Sequence, residues 1–145
     1  MWAFHCHSLA EFRVVLSSEE RQYFDDQLEI VLEKLPPLVK QLMDEVPLVV
    51  DDYPSRGLCQ KLDLDFREDL LGLYAGVSLD KKSVEQSGNL SDTVYLFRDG
   101  ILNSACDEEG HYTDESVREE IRLTILHEYG HHHGMDEDEL RELGY

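Results

Sequence analysis

The stretch Ile125-Leu126-His127-Glu128-Tyr129-Gly130-His131-His132-His133-Gly134-Met135-Asp136-Glu137 decides how the rest of the chain is read. His127 and His131 are four residues apart, about 400° of helical rotation, so on a helix both imidazoles leave from nearly the same face. Two nitrogen donors on one rigid face suit a tetrahedral zinc ion and leave two positions, for a third protein ligand and a water. Glu128 follows His127 by about 100°. Its carboxylate then stands beside such an ion rather than on it. Zinc lowers the pKa of a bound water toward about 7, and a neighbouring carboxylate can take the water's proton as it attacks a carbonyl. The same group can later deliver that proton to a leaving amine.

The residues before the motif predict the helix that carries it. Thr113 and Asp114 are both good N-caps, and an element running from there to His133 would end at Gly134, a residue suited to a left-handed helix terminus. Val117, Ile121 and Ile125 form an apolar stripe, Leu123 and Leu126 add apolar surface elsewhere, and polar Arg118, Glu119 and Arg122 lie mainly in the first half. Gly130 inside a helix costs about 1 kcal/mol relative to Ala, which is understandable if a neighbouring strand approaches closely there.

Beyond His131 the spacing reads HExxHxxGxxE, which brings Glu137 to the position of a third ligand. In the metzincin pattern that place is a histidine, reached because the glycine turns the chain back toward the metal. A carboxylate is an acceptable zinc ligand. Asp136 and Asp138 are the alternatives if the turn differs by one residue. Only 14 residues follow His131, so the third ligand must be close, with Glu139 and Glu142 at the limit. His132 and His133 point about 100° and 200° away from His131 and read as surface or packing residues.

The segment from Ile125 to Leu140 resembles the end of the small bacterial zincin-like metallopeptidase family, the minimal zincins, whose site helix reads HE-x-GHH-x-G followed by acidic residues and a short closing helix. The resemblance covers about the last thirty residues. It implies that His127 and His131 are ligands, Glu128 the base and Glu137 the third ligand. The family more often carries Asp at that last position, so Glu137 sets its carboxylate one methylene further out. The resemblance also implies an edge strand that aligns substrate, and Thr93 to Phe97 falls at that place.

Working outward, Ser17 or Ser18 caps a helix with Glu19 and Glu20 in its first turn. Phe24, Leu28, Val31, Leu32 and Leu35 recur at helical spacing until Pro36-Pro37. A second short helix is expected over Leu38 to Met43. Val46 to Val50 reads as a buried strand, Ser55 to Glu68 is polar and uninformative, and Leu70 to Leu79 looks like a strand interrupted by small residues. Lys81 to Ser91 is a polar loop. Thr93 to Phe97 is a strong strand closed by the turn signal Asp99-Gly100, and a last short helix is expected over Asp136 to Leu143. Helices, then strands, then a helix with the chemistry make an α+β domain over residues 1–145 with a small mixed sheet packed on helices.

Composition narrows the partners. Thirteen basic against 32 acidic residues leave a net charge of −19. That disfavours nucleic acid, whose binding needs Lys and Arg to neutralise phosphates, and anionic membrane surfaces. Cys6, Cys59 and Cys106 are scattered and odd in number, no disulfide framework, so a reducing cytoplasm is expected. The N-terminus lacks the pattern of a signal peptide, and no stretch approaches the length of a membrane span. His5-Cys6-His7 reads as a chain end rather than a second metal site. Cys106 with His111 lacks the motif of a thiol nucleophile. The expectation is a cytoplasmic zinc-dependent peptidase acting on a peptide or protein, with Tyr112, Tyr129 and Tyr145 as candidate oxyanion stabilisers. The rivals are a non-catalytic zinc-binding or interaction module that retains the fold, and an interaction protein binding no metal.

Overall fold

A computed structural model describes residues 15–76, 92–133 and 138. Helix α1 (Ser18–Glu33) begins at Ser17, whose hydroxyl accepts the Glu20 N–H while the Glu20 carboxylate accepts the Ser17 N–H. This reciprocal cap satisfies two otherwise orphaned donors. Phe24, Leu28 and Val31 are buried along one face as their spacing requires, and Leu35 is buried just beyond the helix end. Helix α2 (Pro37–Glu45) starts on the second proline, whose fixed φ and missing N–H suit a first turn.

Strand β1 (Leu48–Asp51) alternates half-buried and exposed residues, with Val49 on the outside. The apolar run Val46 to Val50 is therefore not a buried strand. Val46 is buried ahead of the strand, and β1 itself lies at a sheet edge. The polar segment after it also holds order that composition concealed: helix α3 (Arg56–Lys61), capped by the Ser55 hydroxyl, and a 3-10 turn over Arg67–Asp69. Strand β2 (Gly72–Ala75) lies within the run expected as a strand. Residues 77–91, including the whole of the polar loop Lys81 to Ser91, lie outside the described residues.

Strand β3 (Thr93–Phe97) has the expected bounds, but it is the centre of the sheet. It pairs parallel with β1 and antiparallel with β2, giving the order β1-β3-β2 among the described residues. The expectation that Thr93–Phe97 is the substrate-aligning edge is thereby corrected; Val94 and Leu96 are fully buried, as a central strand demands. Asp99-Gly100 is not a hairpin turn either. Both residues open helix α4 (Arg98–Ser104), where a Cβ on Gly100 would collide with the Leu70 carbonyl oxygen. The glycine marks a close backbone approach, the other common reason for that residue. Arg98 ties α4 to the rest by donating to Asp25 of α1 and to Asp52 after β1, and Arg21 holds the other Asp52 oxygen at 2.8 Å.

Helix α5 (Asp114–His132) closes the described chain, capped by Thr113 with Ser116 returning the bond. Val117, Ile121 and Ile125 are fully buried, as the stripe predicts, and Leu126 and Tyr129 join them. The helix packs on α1, α2, α4, β2 and β3, so it forms the spine on which the other elements rest. The small mixed sheet against helices is α+β. Among the described residues no helix is long and apolar enough to cross a membrane.

Candidate active site

Strand β2 runs along α5 at unusually short range. A Cβ placed on Gly72 would stand 2.6 Å from Thr124 Cγ2, 3.0 Å from the Tyr95 carbonyl oxygen and 3.3 Å from Glu128 Cγ. Only glycine permits that approach. Gly130 of the helix, where a close strand contact was expected, is buried; Gly72 of the strand faces the helix through Thr124 and Glu128. In the antiparallel ladder, Leu71 turns its carbonyl to the Phe97 N–H, so alternation turns the backbone groups of Gly72 and Tyr74 away from β3. The Tyr74 N–H reaches Glu128, donating to Oε2 at 2.7 Å.

His127, Glu128 and His131 all line one open cleft of about 300 Å³, together with Leu71, Gly72, Glu120, Leu123 and Thr124. The two imidazole rings lie 6.3 Å apart between centroids and are tilted by 59°. Both line the same cleft, and Glu128 reaches from the helix to the strand. The next residues turn away from it. His132 is buried, with Nδ1 at 3.3 Å from Asp92 Oδ2 and 3.3 Å from the Tyr74 hydroxyl. Its ring meets that of Tyr74 edge-on. Burial, reinforced by the charge and hydrogen bond of Asp92, pushes the Tyr74 phenol far above its ordinary range, so it stays a neutral donor. This buried cluster clamps β2 to the end of α5, and with it the Tyr74 N–H that holds Glu128.

The tyrosines expected as oxyanion stabilisers do not meet the cleft where they are described. Tyr129 is buried and donates to the Val46 carbonyl oxygen at 2.8 Å, with burial raising its pKa well beyond the usual phenol value. Tyr112 stacks on Tyr23 at the opposite end of α5. Tyr145 lies outside the described residues, as do Glu137, Asp136, Gly134, Cys6 and the His5/His7 pair. Asp138 is helical and exposed. Cys59 and Cys106 are free thiols; Cys106 Sγ lies 3.3 Å from the Leu102 carbonyl oxygen, while His111 stands by Glu109 at 3.8 Å. Asp107, Glu109 and His111 converge closely enough to hold an ion, but all three are exposed on a loop remote from the motif.

Sequence reasoning therefore found the helix side of the cleft and missed its strand side. Gly72, in the run Leu-Leu-Gly-Leu-Tyr-Ala-Gly, carried a usable signal, because a glycine inside a strand often marks a close backbone approach. Nothing local announces that Tyr74, Asp92 and His132 meet.

The donors fit zinc: two imidazoles on one helix face, with a carboxylate beside them and an open cleft in front. No curated protein matches the chain. A sequence profile of zincin-like metallopeptidases matches residues 43–145, which span the sheet, α5 and the HExxH motif. With most of its length covered by that match, the chain belongs to the zincin-like metallopeptidase family.

Proposed function

We propose that the protein hydrolyses peptide bonds with a zinc ion held by His127, His131 and Glu137. The observation that carries this reading is the sorting of α5: His127, Glu128 and His131 line an open cleft, whereas Tyr129 and His132 between and after them are buried. Glu137 is proposed as third ligand from its spacing, with Asp136 and Asp138 as the nearest substitutes. When bound, zinc supplies a polarised scissile carbonyl and an attacking water of lowered pKa.

The remaining chemistry belongs to the chain. Glu128 takes the water's proton and passes it to the departing amine nitrogen, so that its carboxylate is regenerated. The Tyr74 N–H fixes one oxygen of that carboxylate, restricting its rotation while it exchanges the proton. The outward backbone groups of β2 that Glu128 does not take, on Gly72 and at the Tyr74 carbonyl, supply among the described residues an edge on which an extended peptide can add as a further strand. This favours a peptide or protein segment in extended form as substrate. An open cleft with the strand edge beside it also favours catalysis over a purely structural metal site, whose positions are closed by protein.

Glu128→Gln separates the roles. It removes the base while keeping shape and a hydrogen-bond acceptor for Tyr74, so zinc content is expected to stay at the wild-type level while hydrolysis disappears. Full hydrolysis in this variant would remove Glu128 as the base.

A further inference from the structure

The hydrolytic reading leaves one end of the cleft without a task. Along α5 the lining residues recur as Glu120, Leu123 and Thr124, His127 and Glu128, then His131. Glu120 is thus two turns before His127 and three before His131, about 10 and 16 Å along the axis at about 1.5 Å per residue. It is half-buried. Burial holds its carboxyl above the usual range, the Ser104 hydroxyl opposes that shift by a hydrogen bond, and the Glu119 charge adds to it. No basic side chain answers it among the described residues: Arg122 pairs with Glu119 at 3.3 Å, and Arg118 goes to Gln27 and toward Asp114. A half-buried carboxylate with no counter-ion among the described residues is a burden on the fold that a ligand's cation would relieve. Between it and the motif lie Leu71 and Leu123, apolar walls suited to the methylene stem of a long cationic side chain.

We propose that Glu120 selects a basic side chain of the substrate, a lysine or arginine whose stem lies against Leu71 and Leu123 and whose cation meets the Glu120 carboxylate. This rests on the peptidase reading. An extended peptide advances about 3.4 Å per residue, and a lysine or arginine side chain reaches further still. The selected residue therefore lies one or two positions from the bond cleaved. The net charge of −19 works in the same direction, by raising the local concentration of cationic peptides.

The test is a binding measurement that needs no turnover. Two series of peptide hydroxamates, extending to either side of the zinc-binding group, carry lysine or norleucine at the first or second residue. All amino termini are acetylated, so that only the side chain offers a cation. Titration calorimetry on zinc-loaded wild type is expected to favour lysine over norleucine by about tenfold or more at one position, the scale of a hydrogen bond to a charged group. In Glu120→Gln that preference falls to within about twofold while the norleucine affinity is unchanged; Glu120→Asp restores part of it. Equal affinity for lysine and norleucine in wild type, or a preference that survives Glu120→Gln, overturns the inference and leaves the peptidase reading standing. If the zinc-loaded protein binds none of the hydroxamates, the peptidase reading falls and this inference with it.

Discussion

The two faces of α5 are built by different rules. The inner face is Val117, Ile121, Ile125 and Tyr129, all essentially inaccessible to solvent and packed into one core with α1 and β3. The cleft face is Glu120, Leu123, His127, Glu128 and His131, half-buried and mostly polar. At Val117, Ile121 and Ile125 the inner face is specified by shape, and an apolar residue of similar volume would serve; Tyr129 adds one polar requirement, its hydroxyl donating to the Val46 carbonyl oxygen. The cleft face is specified by which atoms it presents, and it includes an ionisable group that burial opposes. One helix thus carries both the stability of the domain and the features that oppose it, their mean directions separated by about a third of a turn. Residues that face the cleft should be replaceable with little loss of stability, and residues that face the core with no direct effect on chemistry.

The sharpest division should come from Glu128→Gln. Loss of the base is expected to lower hydrolysis by at least about 100-fold, with zinc content and Tm close to wild type, read by peptide cleavage, metal analysis and calorimetry. A comparable fall in Tm would mean that the cleft face also carries the fold. On the inner face, Ile125→Ala removes a fully buried side chain and is expected to cost about 2–5 kcal/mol of unfolding free energy. Chemical denaturation measures it, and a loss below about 1 kcal/mol would place Ile125 outside the core.

Gly72→Ala tests the seam where strand and helix meet. The added methyl collides with Thr124 Cγ2, and overpacking of this kind costs about 1–3 kcal/mol. Thr124→Ser deletes that methyl yet keeps the hydroxyl that donates to the Glu120 carbonyl oxygen at 2.7 Å. The double variant should recover part of the loss, since the Tyr95 carbonyl oxygen at 3.0 Å and Glu128 Cγ at 3.3 Å still crowd the added methyl; additive losses would locate the clash away from Thr124. The smallest effect is expected at Glu120→Gln. Folding raises the Glu120 pKa through burial, so ionisation opposes the native state. The stability present below the unfolded-state pKa is lost as pH rises through the raised folded value. The variant should therefore melt higher than wild type at neutral pH, with the difference closing as pH falls below the usual carboxylate range. A difference independent of pH would mean that Glu120 is not buried as described.

The helix side of this molecule was legible because its information is local. Capping at Thr113, the stripe Val117-Ile121-Ile125 and the spacing of His127, Glu128 and His131 are each set within a few residues, and each has the bounds or burial expected. Ser17 opens α1 for the same reason, and the helix ends at Glu33, ahead of Pro36-Pro37, which start α2. The strand side was not legible because its meaning is relational. Thr93–Phe97 reads as a strand from composition, but whether it lies at the centre or the edge depends on β1 and β2, far away in the chain. Val46 to Val50 has the β-branched content of a buried strand, yet sits at an edge with alternate residues exposed. Asp99-Gly100 has turn chemistry, and only the Leu70 carbonyl explains the glycine. The clamp of Asp92, Tyr74 and His132 joins three separate segments, and no spacing rule connects them.

The central claim is that the cleft face of α5 holds a metal through two imidazoles. Its most direct test is the zinc content of purified wild type and of the His127→Ala/His131→Ala variant, measured by mass spectrometry of the metal after dialysis, with circular dichroism confirming that both fold. About one zinc per chain is expected in wild type and none in the variant, since the ligands supply the binding free energy. Stoichiometric zinc retained by the double variant, or a folded wild type that takes up none, would contradict it.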